Sequence, residues 1–500
     1  MKCPMQYFAA RPTASKAAKL PPRPKGHRLI GLLPGTRDWA PFLTEMARTH
    51  GDVVHFKYLC QPACLVSDPE LMAEVLITRQ SAFSKSNVLG NILGSGLATS
   101  EGELWRSERR LILQAFHRAC LPEYSRVAMR RTERTLGEWK PGETRDVYRD
   151  MTALTVGVAA EAFFGAELGA DTGTLLDALQ VAFDAFIVIA SQAFLVPAWA
   201  PTPNNLRFKS AVRTLHRIID HIIAERKARA AAGGSGPRDL LAILLEAQQS
   251  EPRVTDRIVH DEVMTFLLGG HETTANALAW TCYLLAQHPD ARAKMAAEAR
   301  DLAAGEIPSF DQLPRLSYTE KVMKESLRLY PPGWYLTRKA VEDLEIGGYR
   351  IAQGTTVVMN LWGMHRDARY YPDPESFNPD RWTPEFAASL PPLAYMPFGA
   401  GPRRCIGASF AQMEMLTVLG GMAQRFHWDL LHGHVVTPLS ATTLRPLEGV
   451  KVVLREPDQE PCAATLREPA VQRKADFRQA NPRRMTGMAA RQVLPAAHAV

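Results

Sequence analysis

The chain has 500 residues, 46% of them hydrophobic and 22% charged, with a formal net charge of +7. These proportions belong to a folded globular protein and exclude a disordered chain, a collagen-like fibre and a small disulfide scaffold. The charge sits at the ends: residues 1–37 carry eight basic and no acidic side chains, residues 456–500 add +2, and the body between them is −3. A slightly acidic body gives no footing for nucleic-acid binding, which needs cations on the folded surface. The seven cysteines (Cys3, Cys60, Cys64, Cys120, Cys282, Cys405 and Cys462) contain no Cys-x-x-Cys pair. Neither a disulfide framework nor a zinc site is expected, and a reducing compartment fits.

Residues 20–26 are too rich in proline for helix or sheet. Residues 53–56 and 63–66 pattern as a pair of short strands. Over 69–80, and again from Trp105 to Arg229, the apolar spacing is mainly helical. Residues 231–237 read as a flexible loop within one domain, because helical patterning resumes at once. Residues 254–287 run without an internal proline, with Thr255 or Asp256 as cap and His288-Pro289 as stop. Apolar on nearly every face, this helix belongs at the centre of a large core. A helix over 318–330 and short strands between Arg338 and Leu361 follow, and beyond Leu454 the periodicity fades. A mainly α fold with a minor β portion is expected over 28–455, between a basic, Pro-rich segment (1–27) and a disordered tail (456–500).

No stretch of about 20 uncharged apolar residues is present. Residues 185–200 are too short, and 265–286 are interrupted by His271 and Glu272. The expectation is a soluble, cytoplasmic protein without a transmembrane anchor, whose basic N-terminus is a leader, a membrane-surface contact or simply solvated.

The middle of the long helix reads Gly269-Gly270-His271-Glu272-Thr273-Thr274. Two glycines there cost about 2 kcal/mol relative to alanine, and a buried carboxylate needs partners. Two readings account for this equally. The glycines permit close helix packing while Glu272 pairs with an arginine, or the helix opens locally around a small molecule, beside an acid and a hydroxyl that relay protons.

The segment 397–407, Pro-Phe-Gly-Ala-Gly-Pro-Arg-Arg-Cys-Ile-Gly, matches Phe-x-x-Gly-x-Arg-x-Cys-x-Gly at Phe398, Gly401, Arg403, Cys405 and Gly407. A chance match in such a chain is on the order of 10⁻⁴. Gly399 and Gly401 let the backbone approach a flat ligand. Cys405 stands where a helix begins, and free N–H groups and the helix dipole there favour a thiolate, the form that binds iron. This loop resembles the proximal loop of the cytochrome P-450 family, and the resemblance extends over about residues 20–455.

The resemblance implies the P-450 fold, with the long helix over the haem, and haem b held by Cys405 as axial thiolate. It places Phe398, Gly399, Gly401, Arg403 and Gly407 around that cofactor. Trp105-Arg-Ser-Glu-Arg109 matches the family's Trp-x-x-x-Arg helix, so Trp105, Arg109 and Arg338 are expected at the haem propionates, together with Arg403. Residues 269–273 fall on the oxygen-activation motif, which sets Gly270 against the haem, Thr273 beside dioxygen and Glu272 in the proton relay. Glu325-Ser-Leu-Arg328 and the Arg of Phe377-Asn-Pro-Asp-Arg381-Trp382 resemble a buried structural network of Glu325, Arg328 and Arg381.

The implied activity is that of a monooxygenase inserting one atom of O2 into a C–H or C=C bond of a hydrophobic small molecule: a terpenoid, fatty acid or steroid. Electrons are expected from a separate ferredoxin or flavodoxin with an NAD(P)H reductase, since the tail is too short for a redox domain. The donor would dock on the Cys405 side near Arg404 and Arg110, and the enzyme is expected to be a monomer. Substrate-contacting positions implied by the resemblance are Val88, Ile92, Leu93, Phe183, Phe186, Ile187, Leu267, Trp334, Leu336, Leu439 and Leu444. A peroxide-driven or isomerising haem-thiolate enzyme is one alternative, and Glu272 with Thr273 argues against it. A haem-thiolate sensor is another, and no signalling or DNA-binding segment supports it.

Overall fold

In the computed structural model the long helix runs over Asp256–Gln287. The structure describes residues 19–24, 38–58, 61–85, 90–169, 171–192, 199–233, 237–303 and 305–457. Thr255 caps this helix: its hydroxyl accepts the Ile258 N–H at 3.3 Å, satisfying one of the unpaired donors of the first turn. His288 ends it because Pro289 follows. From Asp261 to Ala286 every residue is buried except Gly269, Gly270 and Thr273. Such burial requires cover on all sides, and helices Val147–Phe164, Pro203–Ala231, Leu240–Ser250, Ser317–Leu329 and Ala408–Arg425 supply it.

The helical stretch expected after Trp105 resolves into Gly102–Ile112, Leu121–Gly137, Val147–Phe164, Asp171–Gln192 and Pro203–Ala231, with the 3-10 turn Arg118–Cys120 and the short strand Thr144–Asp146 between them among the described residues. Over 69–80 the chain is helical but not uniform. Asp68 caps Pro69–Ala73 by accepting the Glu70 and Leu71 N–H groups, and a wider π-turn, Glu74–Thr78, follows.

The main sheet orders its strands Val53–Tyr58, Gln61–Val66, Thr356–Asn360, Tyr335–Ala340 and Phe83–Ser84. The first two form the expected antiparallel hairpin, Val53 opposite Val66. At the far edge Ser84 pairs with Lys339, a register that brings Lys85 towards Arg338. The proline-rich segment joins the fold through its backbone: Lys19 bridges to Tyr349, and the Pro22 carbonyl accepts the His55 N–H at 2.9 Å. A separate hairpin pairs Pro438–Ser440 with Leu444–Pro446. Residues 1–18 and 458–500 lie outside the described residues. No helix among the described residues is long and apolar enough to cross a membrane.

Candidate active site

The segment Phe398–Gly407 folds back on itself, with the Cys405 N–H donating to the Phe398 carbonyl at 3.0 Å. Gly399 and Gly401 both adopt positive φ, 69° and 70°, where a side chain is strained. A Cβ on Gly399 would meet nothing nearer than Leu336 Cδ1 at 3.6 Å, whereas one on Gly401 would stand 2.1 Å from the Leu76 carbonyl oxygen. The motif assigns Gly401 to close approach of the backbone to a ligand; the structure adds that this glycine lets the cysteine loop seat on the π-turn.

Cys405 itself precedes the helix by more than expected. The helix begins at Ala408 with Gly407 as its cap, and the Gly407 N–H donates to Sγ. The thiol is accessible although dense protein surrounds it, which is the signature of a group lining an internal cleft. Burial pushes its pKa up, opposed by the Gly407 N–H and by Arg109, Arg404 and Lys85. Among the described residues no three His, Cys, Asp or Glu side chains converge to hold a metal ion, so a lone thiolate here suits a metal whose other ligands come with it.

The cations around the cysteine loop give the second test of that fit. Arg403 donates to the Ser100 carbonyl at 2.9 Å and pairs with Glu101 at 2.8 Å, and its guanidinium lies 4.1 Å from the centre of the Trp105 ring. Arg109 sits 5.8 Å from that ring and donates to the Arg404 carbonyl at 3.0 Å. Arg338 is buried, and burial followed by Arg403 lowers its pKa. Burial, Arg338 and Arg403 push Lys85 down to about 8. Positive charges this crowded disfavour one another unless an anion joins them, and Glu101, with Glu108 facing Arg403, leaves Lys85, Arg338 and Arg403 short of negative charge. The donor set therefore fits a ligand with two carboxylates, as a haem has. Trp105 is the platform beneath Arg403 and Arg109. Lys85 is not legible in the sequence: it stands alone there, and the Ser84–Lys339 pairing brings it in.

On the central helix, Gly269 faces open space, with nothing within 4 Å of where a Cβ would stand, while a Cβ on Gly270 would lie 3.1 Å from both Ala159 Cβ and Phe163 Cε2. Gly270 permits close packing on the Val147–Phe164 helix, and Gly269 is the glycine of the open face. Close packing and local opening thus both hold, one glycine each. Thr273, one turn on, shares the open face and donates to the Gly269 carbonyl at 3.0 Å. Glu272 is buried and points elsewhere: Thr443 Oγ1 donates to its Oε1 at 2.7 Å. Burial raises its pKa, with Thr443 and Arg445 pulling the other way. His271 is held neutral, its pKa pushed by burial down to about 4, and Nδ1 bonds the Leu267 carbonyl at 2.8 Å.

Behind the loop, Glu325, Arg328 and Arg381 come together. Glu325 accepts two bonds from Arg328 and one from Arg381, all at 2.9 Å, and one each from Trp382 Nε1 at 2.9 Å and the Asn378 N–H at 3.0 Å. Trp382 is a partner that the sequence reading misses, although it adjoins Arg381. Of the expected substrate positions, Leu336 and Leu439 are half-buried, whereas Ile92, Leu93, Phe183, Leu267, Trp334 and Leu444 belong to the packed core. Val88 and the side chains of Phe186 and Ile187 lie outside the described residues. Arg404 and Arg110 are exposed.

A mainly helical fold, a cysteine loop with an accessible thiol, a long central helix with an open face and a cationic rim suited to two carboxylates together define a haem-thiolate protein. The Cytochrome P450 family model matches residues 21–454. Cyclooctatin synthase of Streptomyces melanosporofaciens is 35% identical over 404 residues, covering 79% of this chain and 85% of that protein. Cyclooctat-9-en-7-ol 5-monooxygenase of the same organism is 36% identical over 403 residues, covering 79% and 84%. Pentalenene oxygenase of Streptomyces avermitilis is 31% identical over 411 residues, covering 81% and 90%. The structure of a retinoic acid-bound cyanobacterial CYP120A1 superposes with a TM-score of 0.78 at 26% identity, covering 88% of this chain and all of that one. The chain belongs to the cytochrome P450 family. It is a haem-thiolate oxidoreductase that incorporates oxygen from O2.

Proposed function

We propose that this enzyme oxygenates a terpenoid, with Cys405 as axial ligand and Lys85, Arg109, Arg338 and Arg403 at the propionates. When bound, the haem supplies dioxygen activation and C–H oxidation. The carrying observation is an accessible, protein-enclosed Cys405 together with a central helix whose open face is formed by Gly269 and Thr273. On that open face, Thr273 Oγ1 keeps a proton in hydrogen bond to the Gly269 carbonyl and can turn it towards an acceptor. Glu272, its pKa raised by burial, is the carboxyl on this helix suited to take up and pass on a proton. Support for a terpenoid comes from the relatives named for cyclooctatin, cyclooctat-9-en-7-ol and pentalenene, and from the apolar residues about the site.

Electrons come from a separate acidic ferredoxin or flavodoxin docking beside the exposed Arg404 and Arg110. Reversing charge at both positions should slow haem reduction without altering substrate affinity. For the substrate class, the test is a binding-spectrum screen of terpenes, fatty acids and steroids, followed by turnover with surrogate redox partners. Terpenes should give the spin shift and an oxygenated product; a response confined to fatty acids or steroids would contradict the assignment. Thr273→Ala should divert electrons from product to peroxide, and unchanged coupling would remove its role.

A further inference from the structure

The turn at residues 441–443 presses a hydroxyl against the central helix and is fixed on both sides. Trp334 Nε1 donates to the Ala441 carbonyl at 2.9 Å. The Leu444 N–H donates to the Pro332 carbonyl at 2.9 Å, and Trp280 Nε1 to the Leu444 carbonyl at 3.1 Å. Between these anchors Thr443 is buried, with Oγ1 3.2 Å from Asn276 Nδ2 and 2.7 Å from Glu272 Oε1. Glu272 and Asn276 stand one turn apart, so a single hydroxyl reaches both. The Asn276 amide nitrogen can only donate, which leaves the Thr443 proton for the Glu272 carboxyl.

Glu272 is thereby held against the hairpin turn. Arg445, two residues beyond Thr443, faces it and pairs with Asp184 on the helix Asp171–Gln192, whose side chain is 51% exposed. Tyr148, on the helix Val147–Phe164, faces Arg445 and Glu272 as well. Thr273 bonds along its own helix instead. The acid and the hydroxyl are adjacent in sequence, yet their hydrogen bonds lead to different sides.

We propose that Thr443 is a positioning residue that latches Glu272 into a proton-loading position, from which the carboxyl is released towards Thr273 once it has taken up a proton. The proton comes from solvent through the Asp184–Arg445 end and neutralises the carboxylate. A hydroxyl bonds a carboxylate about twice as strongly as a neutral acid, so loading weakens the latch and frees the side chain to turn. Asp184, Arg445, Tyr148 and Asn276 are the charged, titratable or donor groups that face this pair. The inference rests on the proposed role of Glu272 as proton carrier.

Infrared spectroscopy on the full-length protein reads the latch directly. The carboxyl C=O stretch of Glu272, assigned by its loss in Glu272→Gln, is titrated against pH. Thr443→Val, nearly isosteric, removes the donor and should move the midpoint up by about one pH unit or more. Thr443→Ser should restore it. In turnover, Val should lower the fraction of electrons reaching product several-fold and enlarge the solvent isotope effect, and Ser should not. The proposal is overturned if Val leaves the midpoint in place, or if Ser shifts it as far as Val does. Unchanged coupling in Glu272→Gln would instead defeat the proton-carrier reading, with the infrared titration still reporting whether the latch exists.

Discussion

Replacing Glu325 by glutamine removes one negative charge from a site where two guanidiniums depend on it. Glu325 and Arg328 have no exposed side-chain surface and Arg381 has 7%, so solvent screening offers little compensation. The other partners of Arg328 are the carbonyls of His365, Pro374 and Ser376, and those of Arg381 are the carbonyls of Pro372, Asp373 and Ser376. Carbonyls solvate these cations but do not neutralise them. Breaking one member of a buried ion network costs about 3–5 kcal/mol. With an unfolding entropy of about 2.1 cal/mol/K per residue over roughly 400 ordered residues, that corresponds to a fall in melting midpoint of about 4–6 °C. Scanning calorimetry of the wild type and Glu325→Gln at equal haem content measures it. A fall below about 1 °C would show that the network does not depend on its charge, and the structural role given to Glu325, Arg328 and Arg381 would fail.

Gly401→Ala should lose far more holoprotein than Gly399→Ala, because only the former drives a Cβ into the Leu76 carbonyl; equal yields would contradict the packing role of Gly401. Lys85→Met should weaken haem retention about tenfold, the loss of one charge-assisted contact, measured as the rate of haem transfer to an apoprotein acceptor; an unchanged rate removes Lys85 from the site. Glu108 is buried, and burial raises its pKa to about 7 despite the Ser100 hydroxyl bond. A folded-state pKa above the unfolded one means that this carboxyl contributes most below about pH 4.5, and that the contribution is lost as pH rises to about 7. Glu108→Gln carries no such dependence, so its stability relative to wild type should increase from pH 5 to pH 8. Urea unfolding at both values reads the difference; an equal gap at both would refute it.

The parts of the site carried by contiguous residues are legible in the sequence. The cysteine loop, the Trp105–Arg109 spacing and the Thr255 cap each lie within one short segment, where chemistry and local geometry are read together. Glycine roles are legible only as a pair: Gly269 and Gly270 are equivalent as letters, and only the packing of Ala159 and Phe163 assigns one to the helix contact. The same holds at Gly401, whose neighbour Leu76 is remote in sequence. Lys85 and Thr443 leave no signal, because a single lysine after a two-residue strand and a single threonine in a turn acquire meaning through strand register and hairpin placement. Trp382 does leave one, beside Arg381, and its indole N–H is what a buried carboxylate with lone pairs to fill requires.

Everything above turns on Cys405 holding haem iron as a thiolate. The absorption spectrum of the dithionite-reduced, CO-bound protein tests it most directly, recorded for the wild type and for Cys405→Ser at matched haem content. The red-shifted Soret band of thiolate ligation is predicted in the wild type, with its loss in the serine variant. A wild type without that band, or a Cys405→Ser protein that retains it, would contradict the assignment.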